Sequence, residues 1–228
     1  MWRCNALLLL WLVSWAGVAS AQDGMVTHSL TVSIHPAANP KVTQDEIEKI
    51  LKGASDILQG HTTITPHNNC KVEFKLKGLV TWTSGPADIT DDIDLEQVQE
   101  VPADVKVVQS ITYCAQEHNN GGYAGCAWRP KLRPRTMIVA RSEFSLSMGN
   151  GPMIWAHEYG HTTGLNHRYH KGILSDSENL MTPCDLEIAS QPINQFECDH
   201  FLKGPVSNYP RTLGPRCPQS SSTGHPPD

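Results

Sequence analysis

The residues whose types and spacing could do chemistry lie at 153–167, MIWAHEYGHTTGLNH, which contains His157-Glu158-x-x-His161-x-x-Gly164-x-x-His167. On a helix, His157 and His161 stack their imidazoles on one face at a separation that suits a single metal ion. Glu158 follows the first histidine and projects beside such an ion, where it can hold a water. Gly164 can take the left-handed conformation that ends a helix, so the chain can turn sharply and bring His167 back as a third ligand. Three nitrogen ligands leave a fourth tetrahedral position for water, as in a catalytic zinc site and unlike a structural one.

Beyond His167, Asn179-Leu180-Met181-Thr182-Pro183 reads as a tight turn carrying a methionine. A bare His-Glu-x-x-His occurs by chance in many helices, and Met181 alone would read as an ordinary core methionine. The glycine, the third histidine and the turn together leave little room for coincidence. The combination resembles the metzincin family of zinc peptidases. That resemblance implies one zinc ion held by His157, His161 and His167. It also implies that Glu158 assists the attack of a zinc-bound water on a peptide carbonyl and hands the proton to the departing amine. Met181 would form a floor beneath the metal without touching substrate. Neutral imidazoles are required, so activity should fall on acidification. The residue after the third histidine, Arg168, matches none of the Ser, Glu or Asp that mark matrix-metalloprotease-like, astacin and adamalysin members, so no subfamily is assigned. Pro183 stands where some members carry a tyrosine, and His170 is a competing third ligand that the spacing from Gly164 disfavours.

These residues must be positioned by a folded, exported domain. Residues 1–21 carry one charge, Arg3, then an apolar run and Ala19-Ser20-Ala21, the pattern of a secretory signal peptide. Removing them from 228 leaves 207 residues, enough for one domain at 22–204, and moves the formal charge from −5 to −6. So mild an acidic excess argues against nucleic acid or an anionic membrane as partners, and a monomer is expected. Six cysteines remain: Cys70, Cys114, Cys126, Cys184, Cys198 and Cys217. An even number in an exported chain reads as up to three disulfides, with fifteen connectivities. Cys114 with Cys126 is the preferred local pair, across a Gly-rich turn, and Cys184 with Cys198 is a second candidate. The Pro- and Ser-rich residues 205–228 read as a largely disordered tail.

The elements follow in order. Residues 26–34 alternate as a strand. Thr43-Gln44-Asp45-Glu46 is a capping box for a helix whose stripe is Ile47, Ile50, Leu51, Ala54 and Leu58, closed by Gly60. Residues 71–82 and 105–113 read as strands. The five carboxylates within 90–100 lack EF-hand spacing, so a solvated loop is expected there rather than a calcium site. Residues 121–128, GGYAGCAW, could be an edge strand that pairs with an extended peptide, the role the resemblance implies for Gly121, Gly122, Tyr123, Ala124 and Gly125; a hairpin that merely holds a disulfide is the rival reading. Residues 136–140 form a buried strand. Pro152 can open an apolar, central active-site helix. The resemblance implies that Pro183 to Ser190 wall the specificity pocket, and Ser190 would cap a last helix through Lys203, with Pro192 in its first turn and Ile193 and Phe196 facing the core.

The expected fold is α+β: a twisted mixed sheet, an active-site helix, a methionine turn and a C-terminal helix, laid out as the resemblance implies. The expected function is that of a secreted zinc endopeptidase acting on protein or peptide. The alternative is a binding module or inhibitor of the same shape that has lost turnover.

Overall fold

The computed structural model describes residues 24–38, 42–61, 69–114, 117–119, 122–127, 136–141, 151–167, 180–181 and 193–206. The signal segment, Gly121, Arg168, His170, the expected pocket wall, Cys184, Cys217 and the tail beyond Val206 lie outside the described residues.

In chain order the elements are β1 (Val26–Ile34), α1 (Gln44–Gln59), β2 (Val72–Thr81), β3 (Asp88–Ile89), α2 (Asp92–Glu100), β4 (Val105–Val108), β5 (Ser110–Ile111) and β6 (Tyr113–Cys114). They continue as β7 (Glu117–His118), β8 (Gly125–Cys126), β9 (Met137–Ala140), α3 (Gly151–Thr162) and α4 (Gln195–Lys203). The main sheet runs β2-β1-β4-β9-β8, with the first four strands parallel and β8 antiparallel at the edge. Parallel strands are covered on both faces, which explains why β4 and β9 are buried at every position. Met137 and Val139 join a core under α1, α3 and α4; Ile138 and Ala140 join a second core with Leu95, Val98 and Ile111. The result is a mixed α+β architecture.

Helix α1 forms as its sequence dictates. Thr43 Oγ1 accepts from the Glu46 N–H, Glu46 returns the bond to the Thr43 N–H at 2.9 Å, and Gly60 closes the helix at φ 73°. Its buried stripe includes all five anticipated residues and adds Ser55 and Ile57. Ser55 Oγ accepts the Phe74 N–H, and Gln59 donates to the Val72 carbonyl, so α1 covers the outer edge of β2. An exposed edge would otherwise invite pairing with another chain.

Three expectations need correction here. The acidic run is not a loop: Asp91 caps α2 by accepting from the Asp94 N–H, and Leu95 and Val98 bury its inner face. Acidic residues at a helix start are favoured by the helix dipole, so this run is a helix entrance. The expected strand at 105–113 divides. β4 stays in the main sheet, the Gln109 N–H turns away to Ala87, and β5 and β6 pair with β3 and β7 in separate ribbons. Alternation continues through the break, so periodicity could not show it. The last helix is capped by Asn194, with Glu197 completing a capping box, and not by Ser190; Pro192 lies outside the described residues. With that start Phe196 turns outward at 62% exposure, while Cys198 and Phe201 face the core; Ile193 is buried as expected.

The cysteines give one agreement and one correction. Cys114 is bonded to Cys126. Cys198 pairs not with Cys184 but with Cys70, across 128 residues of sequence, because the corrected register of α4 turns Cys198 inward toward the chain that enters β2.

Candidate metal centre

Helix α3 is buried along its length, and Met153, Ile154, Trp155 and Ala156 seat it in the core as its apolar start requires. Its end is a Schellman turn. Leu165 N–H bonds the Gly160 carbonyl, Gly164 N–H bonds the His161 carbonyl, and Gly164 stands at φ 96°. That turn carries His167 back over the helix. His157, His161 and His167 come together, with Nε2 atoms 3.0, 3.1 and 3.3 Å apart.

Two backbone carbonyls orient the rings. His157 Nδ1 meets the Leu180 carbonyl at 2.6 Å, and His161 Nδ1 meets the Leu165 carbonyl at 2.8 Å. A carbonyl only accepts, so each Nδ1 carries the hydrogen and each Nε2 presents its lone pair. His157 and His161 therefore face each other lone pair to lone pair, a repulsion that a shared cation relieves. A tetrahedral ion with bonds of about 2.0–2.1 Å separates its nitrogen ligands by about 3.3 Å. The three nitrogens match that spacing closely, so this group could hold a metal ion.

The environment keeps His157 and His167 neutral. Burial, then the neighbouring His161 and His167, hold His157 well below the usual histidine range. Burial, then His161, bring His167 down to about 3. Glu158 is 6% exposed, and burial pushes its carboxyl up to about 8, against the pull of the Ala127 backbone N–H that donates to it. Its Oε2 has no hydrogen-bond partner. A cation at the histidines would draw this carboxyl back toward ionisation.

A stability profile follows for the metal-free chain. From about pH 4.5 to about pH 8 the folded chain keeps a proton on Glu158 that the unfolded chain releases, so stability falls as pH rises through that window. Below about pH 6.5 the unfolded chain takes up protons that His157 and His167 refuse, so stability falls as pH drops. The two limbs balance where the two unfolded histidines are half protonated, which puts the highest melting temperature at about pH 6.5. Glu158→Gln should flatten the alkaline limb and steepen the acid one, because the Glu158 window overlaps that of the histidines; an alkaline limb left intact would remove Glu158 as its source.

Met181 is fully buried beneath α3, where a side chain at Gly160 would place its Cβ 2.6 Å from the Met181 sulfur. The methionine turn thus does two things: Leu180 orients His157, and Met181 fills the space that Gly160 leaves. Spacing rules could not find Leu180, Leu165 or Ala127, since each acts through its backbone. Among the expected edge residues, Gly125 lies in β8, directly over Glu158. Ala124 accepts from the Ala140 N–H. Gly122 is drawn into a turn instead, its N–H bonded to the Asn119 carbonyl and its φ at 80°, and the Tyr123 N–H is taken by the Ile111 carbonyl of β5. The edge described is therefore shorter than expected.

No known protein family matches the chain, and no curated protein matches it. Among solved structures, it is similar to metalloproteinase-II from Bacteroides fragilis, with a TM-score of 0.45 and 11% identity over 80% of this chain and 54% of that one. A chaperone–substrate complex gives a TM-score of 0.38 and 17% identity over 65% of this chain and 25% of that one. The chain thus spans about half the length of the metalloproteinase it resembles. At these levels of overlap the chemistry of the site rests on its own side chains.

Proposed function

We propose that the chain is a secreted zinc endopeptidase of the metzincin type. The observation that carries this reading is the convergence of three imidazole nitrogens beside a buried carboxyl group, under an edge strand of the sheet. His157, His161 and His167 would hold the ion, and three nitrogen donors with one position left over suit zinc. Bound there, zinc lowers the pKa of a coordinated water toward neutrality and polarises a carbonyl.

The remaining work falls to Glu158 and the strand. Oε2, buried and without a hydrogen-bond partner, has lone pairs free to take a proton from the attacking water. The hydroxyl adds to the peptide carbonyl carbon, the C–N bond breaks, and Glu158 returns the proton to the leaving amine. Burial keeps other proton donors from competing. Edge strand β8 can align an extended polypeptide, which supports peptide over a small amide as substrate. Two disulfides favour an oxidising compartment, and among the described residues no helix is long and apolar enough to cross a membrane.

The test is digestion of an unfolded protein by the mature chain, with product termini read by mass spectrometry. Cutting that a chelator abolishes and added zinc restores is expected. No cutting by the folded, zinc-loaded chain would replace the peptidase with a metal-holding binding module.

A further inference from the structure

Strand β8 carries a glycine where sheet propensity disfavours one. Gly125 is not among the glycines with positive φ, so its backbone does not require glycine. The reason is space. Gly125 pairs with Val139 and faces α3, while Cys126 pairs with Ile138, faces the opposite layer and is bonded to Cys114. A Cβ at Gly125 would stand 2.4 Å from Glu158 Cγ, 2.7 Å from Cδ and 2.6 Å from Oε1. Two residues on, the Ala127 N–H donates to the same carboxylate.

Resting on the peptidase reading, we infer that Gly125 is a positioning residue for the general base. Its bare Cα and the Ala127 N–H together decide where the Glu158 carboxylate stands beside the histidines. The Cys114–Cys126 bridge keeps the strand from moving instead. Any side chain at 125 must push something aside. β8 is tied to β9 and to the bridge, and α3 is packed in the core, so the Glu158 side chain is what yields. The Cβ points down onto Glu158 and not along the strand edge, so backbone pairing with substrate is untouched. A loss of turnover without a loss of binding is the signature.

Gly125→Ala should lower kcat by about 100-fold, the effect of displacing a reacting group by about 1 Å, with KM and zinc content unchanged. A second readout needs neither metal nor turnover. In the metal-free chain Gly125→Ala should lower the melting temperature, and the same change added to Glu158→Ala should not, because the colliding atoms are gone. An equal drop in both backgrounds, or an undiminished kcat, overturns the inference. If Gly125→Ala does not fold, the double variant decides: folding supports the seat, and failure to fold removes it. If the native chain cuts nothing, the peptidase reading falls, and the melting comparison still tests the seat.

Discussion

If the chain is the zinc peptidase proposed, Glu158→Gln is expected to leave its zinc content unchanged and to lower kcat/KM by about 10²–10⁴-fold, the contribution of a positioned general base. Glutamine matches glutamate in size, and its amide oxygen can keep the bond from the Ala127 N–H, so the side chain holds its place under β8. It cannot take a proton. No solvent-borne base can substitute easily, because position 158 is only 6% exposed. The loss corresponds to about 3–5 kcal/mol of transition-state stabilisation. Metal analysis and steady-state kinetics on one preparation decide the matter. Loss of zinc along with activity would make Glu158 part of the metal-holding structure. Unchanged kinetics would place the base elsewhere.

The second large effect is on stability. Replacing Cys70 and Cys198 by alanine is expected to lower the unfolding free energy by about 5 kcal/mol, since their bridge closes a loop of 128 residues in the unfolded chain. That is a third or more of what a domain of ordinary stability has in reserve, about 5–15 kcal/mol. The Cys114–Cys126 bridge spans 12 residues, and its removal should cost about 3 kcal/mol by the same reasoning. Urea unfolding of both double variants measures the difference. Equal losses would show that loop entropy is not what the long bridge contributes. The long bridge also holds α4, whose Phe201 lies beside Met181 under Gly160. The Cys70/Cys198 variant should therefore release metal more readily as well, which competition with a chelator reads.

Strong local signals made α1 legible from its ends inward: a capping box, a stripe of five apolar residues and a closing glycine. β1 was legible from alternation alone. α2 was missed because its charges resemble a solvated loop unless Asp91 is seen to cap a helix whose Leu95 and Val98 have a core to meet. The start of α4 was misplaced because Ser190 and Asn194 are both good caps, and only packing selects between them. That choice turned Phe196 outward and Cys198 inward, and with it the disulfide partner changed.

The convergence of the three histidines was written in the chain. It needs only helical periodicity, which aligns His157 with His161, and a left-handed Gly164, which returns His167. Both are properties of a few consecutive peptide units, so spacing carries them. The ring tautomer of His157 depends on a carbonyl 23 residues away, and the seat of Glu158 depends on a strand across the sheet edge. The groups that do this work are backbone atoms and a missing Cβ, which leave no side-chain signature. Only folding brings them to the site, because their partners are chosen by packing and not by proximity along the chain.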